Sequence, residues 1–192
     1  LDFLIIDMEH GPHSFQTVED MIRAAEVGGC AGLVRVSKND NTSILHALDL
    51  GASGVVIPHI KSREDAEKAI SYSKYSPLGE RGFSPFTRAG GYSLHNTKNH
   101  AKFQNTRTMI VLILEGRDGI SSIDEILSIS DIKDRIDVVY IGAYDLSQAM
   151  GMPGEVCHPK VKRCMRECIK KIKEKGVAAG GYVAKNSADI RW

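Results

Sequence analysis

The chain has no apolar run long enough to cross a bilayer: its longest such stretches, Met109–Leu114 among them, fall far short of the roughly 20 residues a spanning helix needs. It also lacks a basic leader followed by a small-residue cleavage site. The N-terminus reads Leu1-Asp-Phe-Leu-Ile-Ile-Asp7, so no signal peptide is expected, and the expected compartment is the cytoplasm. The first residue is not Met, and a chain that opens in mid-strand and closes on Asp189-Ile-Arg-Trp192 is expected to be an internal piece of a longer protein. An excess of charge of one sign is missing too. With 25 basic and 24 acidic residues interspersed and a net charge of +1, no field exists to steer nucleic acid or an anionic membrane, which leaves small molecules as the expected partners. The cysteines at positions 30, 157, 164 and 168 lack the paired C-x-x-C spacing of a zinc knuckle or redox site, so reduced thiols are expected. No fixed-period repeat, low-complexity tract or flexible linker divides residues 1–192, which are expected to form a single domain.

What the sequence does have is alternation. Short aliphatic runs at Phe3–Ile6, Gly32–Val36, Gly54–Ile57, Ile110–Leu114, Asp137–Ile141 and Ala178–Val183 are separated by longer amphipathic stretches and by Gly, Pro, Asn or Asp. Near-continuous apolar runs suit parallel strands covered on both faces. Thr17-Val-Glu-Asp20 and Ser62-Arg-Glu-Asp65 each place a hydroxyl three residues before an acid, near a capping box, while Gly28 and Gly176 are expected to stop helices. The stripe Val161, Cys164, Met165, Cys168, Ile169 and Ile172 predicts a helix with a buried face that includes both cysteines. Residues 76–106 form a long excursion before the fourth strand. Strand–helix alternation permits an open doubly wound sheet or a closed barrel. A Gly-rich dinucleotide turn after the first strand is absent, whereas polar groups gather at several strand ends: Asp7 and His10, Arg35, His59, Glu115 and Asp145. Active groups drawn from many strand ends mark the C-terminal face of a TIM barrel, so an α/β (β/α)-barrel is the expected fold.

Four segments point to chemistry. Ile6-Asp7-Met-Glu-His10-Gly-Pro12 runs a buried strand into two carboxylates and an imidazole; either Asp7 orients His10 as a general base, or the segment is a polar loop capping the next helix. Glu9 and His13 read as surface groups. Arg35 lies inside the apolar strand Leu33–Val36 and needs an anionic partner, either a substrate oxygen or a structural carboxylate such as Asp7. Glu115 and Asp145 close two apolar strands, as ligands of an oxygen-loving divalent cation or, for Asp145, as a cap on the helix that follows. Gly79–Gly91 with Arg81 and Arg88 has weaker potential as a phosphate cradle, and His46, His95 and His100 read as surface or loop histidines.

The blocks D-x-E-H-G at Asp7–Gly11, R-V-S-x-N-D at Arg35–Asp40, P-L-G-E-R-G-F-S at Pro77–Ser84 followed by Arg88-Ala89, L-E-G at Leu114–Gly116 and I-G-A-Y-D-L-S at Ile141–Ser147 resemble, in order and spacing, those of HpcH/HpaI aldolases. The resemblance spans nearly the whole chain. It implies an incomplete (β/α)8 barrel showing strands two to seven, and a class II aldolase that cleaves or forms a 4-hydroxy-2-oxo acid from a 2-oxo acid such as pyruvate and an aldehyde. It further implies Glu115 and Asp145 as ligands of Mg²⁺ or Mn²⁺, with Co²⁺ or Zn²⁺ as alternatives. His10, oriented by Asp7, would transfer the proton, and Arg35 would hold the oxo acid and its enolate. The backbone at Gly142, Ala143 and Tyr144 would bind the substrate carboxylate, and the protein would assemble as a homo-oligomer, commonly a hexamer in the family. Ile113 departs from the pattern: many relatives carry Gln two residues before the metal-binding Glu. None of the strand runs contains a lysine, which counts against a Schiff-base aldolase. An acyl-CoA lyase of the citrate-lyase β-subunit type and a non-catalytic barrel scaffold are the competing readings.

Overall fold

Apolar residues on both faces commit six short segments to parallel strands, and in the computed structural model these are β1 (Phe3–Asp7), β2 (Ala31–Arg35), β3 (Gly54–Ile57), β4 (Met109–Leu114), β5 (Val138–Ile141) and β6 (Ala178–Gly181). The structure describes residues 1–93 and 97–182. The strands follow one another in chain order in one sheet. Around them run α1 (Phe15–Val27), α2 (Asn41–Asp49), α3 (Arg63–Ser73), α4 (Thr97–Arg107), α5 (Arg117–Ser121), α6 (Ile123–Ile126), α7 (Ile132–Arg135), α8 (Ala143–Ala149) and α9 (Pro159–Glu174). This is the α/β pattern of an incomplete TIM-type barrel, with each expected strand within two residues of its observed bounds over the described residues; Val183, the expected end of the last strand, lies outside them.

The elements fall into two compact units: Leu1–Pro58 with Glu67–Val111, and His59–Ala66 with the chain from Leu112 onward. In the first, β1 and β2 pair in parallel with Asp7 opposite Arg35, and β2 pairs with β3 with Arg35 opposite Val56. Ile6, Val34, Ile57, Ile22, Ile44 and Ile70 are almost wholly buried there, each contributing about 1.5–3 kcal/mol on removal from water. In the second, Gly142 N–H donates to Leu114 O at 3.0 Å, and β5 pairs with β6 with Ile141 opposite Gly181. Leu112, Leu114, Ile126, Ile141, Val161 and Ile172 form its core.

Helix α9 buries Val161, Met165, Cys168 and Ile172, while Cys164 is only half-buried. Pro159 opens it and His158 caps it, its Nδ1 accepting from Lys160 N–H at 3.2 Å. Helix α1 starts one turn before the expected cap. Ser14 already takes the cap position and accepts from Thr17 N–H at 3.3 Å, which leaves Thr17 inside the first turn. Ser62 caps α3 as expected, accepting from Asp65 N–H at 3.1 Å, while Asp65 accepts from Lys61 N–H at 3.1 Å.

Candidate active site

The register of β1 on β2 sets the first cluster. Parallel pairing places Asp7 opposite Arg35 at the ends of their strands, and the guanidinium grips the carboxylate in a fork: Nε donates to Oδ1 at 2.8 Å and Nη2 donates to Oδ2. Arg35 Nη1 also pairs with Glu9 Oε2 at 3.0 Å. Asp7 Oδ1 accepts in addition from the backbone N–H of Glu9 at 2.9 Å and of His10 at 3.3 Å. These bonds, the Arg35 one foremost, hold the Asp7 carboxyl down to about 2 against a burial that raises it. At neutral pH Asp7 is therefore a fixed anion and not a proton acceptor.

Two expectations change here. The Asp7 carboxylate bonds the main-chain N–H of His10 and not its ring; the imidazole is 70% exposed, with Nε2 4.0 Å from Glu9 Oε2. Glu9, expected at the surface, has a side chain only 8% exposed and paired to Arg35. The signal was present in the sequence: residues two apart at a strand end share a face, so Asp7 and Glu9 can meet one cation.

The second cluster follows β3 and β4. His59 adopts a left-handed backbone, φ 57°, which aims both its N–H and its ring at Glu115. The N–H donates to Glu115 Oε1 at 2.8 Å, and Nδ1 lies 3.0 Å from the same oxygen. Glu115 is buried at the end of β4. Gly142, at the end of β5, fits against it: a Cβ at 142 would stand 2.5 Å from Glu115 Cβ and 3.1 Å from Oε2. Its φ of −74° is open to any residue, so contact alone demands glycine. Gly142→Ala is expected to destabilise the fold by about 1–3 kcal/mol through overpacking, read as a lowered Tm; an unchanged Tm would show that Glu115 moves freely.

Asp145 is exposed in the first turn of α8. It does not cap that helix, because Gly142 is the N-cap residue and no side-chain cap bond is made. Ser147 is buried, donating to Tyr144 O at 2.6 Å and accepting from Gly154 N–H at 3.1 Å, which ties α8 to the loop behind it. Ala143 is buried and Tyr144 exposed. In the sequence His59 is only a polar residue at a strand end, and nothing in its neighbours announces the contact with Glu115.

The weaker signals resolve as structure. Arg81 is buried, bonded to Asp49 at 3.0 Å, with its guanidinium 4.5 Å from the centre of the Tyr75 ring. Arg88 pairs with Glu26 and donates to Leu50 O at 3.1 Å. Arg81 is enclosed in the fold and Arg88 ties Glu26 to the main chain of Leu50, so both serve the fold here. His100, expected at the surface, is buried edge-on against Tyr75 and Phe83, because the excursion after α3 folds back over it. His46 is exposed as expected, and His95 lies outside the described residues.

A family model described as HpcH/HpaI aldolase/citrate lyase matches residues 1–191. Among similar proteins, the 4-hydroxy-2-oxo-heptane-1,7-dioate aldolase of Salmonella heidelberg is 32% identical over 192 residues, covering 100% of this chain and 71% of its own length. The hydroxypyruvate/pyruvate aldolase of Sagittula stellata is 32% identical over 190 residues, 99% of this chain and 72% of its own. The crystal structure of an HpcH/HpaI aldolase from Desulfitobacterium hafniense superimposes with a TM-score of 0.89 at 30% identity, covering 100% of this chain and 72% of that one.

Proposed function

We propose, for a chain that belongs to the HpcH/HpaI aldolase/citrate lyase family, that it joins and splits 4-hydroxy-2-oxo acids, with pyruvate or a close 2-oxo acid as the enolate-forming half and an aldehyde as the other. It is an aldolase, a carbon–carbon lyase. The observation that carries the reading is similarity over all 192 residues to an aldolase of a 4-hydroxy-2-oxo acid. The citrate-lyase alternative has less support, since these relatives are named as aldolases.

In this reading Glu115 and Asp145 hold a divalent cation, Mg²⁺ or Mn²⁺. Glu115 supports the reading as a buried carboxylate steadied on one oxygen by His59, a hard oxygen donor, and Asp145 would add a second carboxylate from the first turn of α8. When bound, the cation supplies Lewis acidity that makes the methyl protons of a chelated 2-oxo acid removable. Arg35 neutralises the charge that develops on the oxo-acid oxygen. Asp7 is a positioning residue that fixes the guanidinium, and His10, exposed to solvent and beside Glu9, carries the proton. The backbone at Gly142, Ala143 and Tyr144 receives the substrate carboxylate. Cytoplasmic location and a homo-oligomeric state belong to the same proposal and rest on the family resemblance. Among the described residues no helix is long and apolar enough to cross a membrane.

The test is exchange of pyruvate methyl protons with deuterated water, followed by NMR on the full-length protein, with EDTA and with Mg²⁺ or Mn²⁺ restored. Metal-dependent exchange is expected, and the aldehyde need not be known. Absence of exchange with every metal would overturn the reading.

A further inference from the structure

The side chains of two tyrosines at neighbouring strand ends are left unused by the chemistry above. Tyr182 follows Gly181, the last residue of β6, and Tyr144 stands in the first turn of α8, two residues beyond Gly142. Their rings lie 5.3 Å apart, centre to centre, inclined at 60°. Tyr144 is nevertheless 54% exposed and Tyr182 44% exposed. Leaving large rings half in water forgoes burial energy that a core position would have gained, and the packed pair presents ring surface to whatever enters beside it.

Their position relates them to Glu115 within the same unit. Gly142 touches Glu115, and two residues of helix advance only about 3 Å along the axis. On β6 the two residues before Tyr182 carry no side chain. Gly180 must be bare, because a Cβ there would meet the Tyr140 ring at 2.8 Å, and a Cβ at Gly181 would point to Met165 of α9 at 3.4 Å. The two residues that precede each ring, Gly142-Ala143 and Gly180-Gly181, offer no side-chain hydrogen-bonding group.

We propose that Tyr144 and Tyr182 form the subsite for the acceptor aldehyde, and that this aldehyde carries a flat apolar substituent, an aromatic ring in particular. The inference rests on the aldolase reading of the same site. Aromatic surfaces meet at centroid separations of about 4.5–7 Å in offset or edge-to-face geometry, which two rings inclined at 60° can offer to a third. A polyhydroxylated tail would need several directed donors and acceptors, and beyond two phenol hydroxyls these segments supply only main chain.

The experiment compares kcat/KM for condensation of pyruvate with benzaldehyde and with glyceraldehyde on the full-length metal-loaded protein, alongside pyruvate proton exchange. The wild-type protein is expected to favour benzaldehyde. Tyr182→Leu is expected to lower the benzaldehyde-to-glyceraldehyde ratio about tenfold, mainly through KM for benzaldehyde, whereas Tyr182→Phe keeps the ratio because the ring remains. Proton exchange in the wild type combined with a preference for glyceraldehyde, or with a ratio that Tyr182→Leu leaves unchanged, would overturn the aromatic subsite and leave the aldolase reading standing. A Tyr182→Phe ratio as low as that of Tyr182→Leu would also overturn it, since the hydroxyl and not the ring would then select. Loss of exchange in the wild type itself would remove the aldolase reading and this subsite with it.

Discussion

Exchanging Glu115 for glutamine is expected to lower metal-dependent turnover by about 10²–10³-fold or more while the protein remains folded. The substitution is nearly isosteric and keeps an oxygen that can accept from His59 N–H, so the loop after β3 retains its anchor at the end of β4. What it removes is the negative charge. A hard divalent cation is held by the number and charge of its oxygen donors, and a neutral amide is a weaker ligand than a carboxylate. The space beside Gly142 is unchanged as well, because glutamine adds no atom where the Cβ of residue 142 would have stood. Calorimetric titration with Mn²⁺, pyruvate proton exchange and a thermal melt together separate the roles. Weakened Mn²⁺ binding and lost exchange at an unchanged Tm are expected; a lower Tm with unaltered Mn²⁺ affinity would make Glu115 a structural carboxylate that serves only to hold His59.

The parts of this molecule that were legible in the sequence are those fixed by short-range physics. Doubly covered strands must be apolar throughout, and Val55-Val56-Ile57 or Ile110–Leu114 can hardly be anything else. The Val161–Ile172 stripe imposes a helix because its period matches 3.6 residues per turn. The site's residue types were legible for a related reason: charge at the end of an apolar strand is costly unless it is engaged. What the sequence concealed was which engaged group meets which. Asp7 and His10 are three apart in the chain, but Asp7 and Arg35 are opposite each other in the ladder, and a bidentate fork in register competes successfully with a solvent-exposed imidazole. Glu9 reads as a surface group because it sits in the polar turn after β1, whereas Arg35 draws it inward. The burial of His100 and Arg81 is not legible because the excursion between α3 and β4 has no periodicity from which it could be read; its interior is built by ring contacts among Tyr75, Phe83, His100 and Arg81.

The Arg35 fork makes the second large effect. Arg35→Lys is expected to reduce kcat/KM by about 10²-fold, although charge is conserved, because a lysine ammonium is a compact point charge and cannot hold Asp7 through two parallel bonds while also meeting Glu9. The loss should fall on kcat, with KM little changed, if the guanidinium acts on charge that develops only in the transition state. A stability signature accompanies it and distinguishes positioning from mere packing. In the native protein the Asp7 carboxyl is lowered from 3.8 to about 2, chiefly by the Arg35 hydrogen bond. A depressed carboxyl stabilises the fold fully above its unfolded value, and that stabilisation is lost as pH falls from about 3.8 through about 2. In Arg35→Lys the Asp7 carboxyl moves back toward its ordinary value, so less stability remains to be lost over that interval. Denaturant melts between pH 5 and 2 are therefore expected to show a shallower acid decline for the variant than for the wild-type protein, beginning from a lower plateau. Wild-type kinetics with the shallower acid limb would leave the Asp7–Arg35 fork as an ion pair of the fold alone, and parallel acid limbs would show that the fork is not what holds the Asp7 carboxyl down.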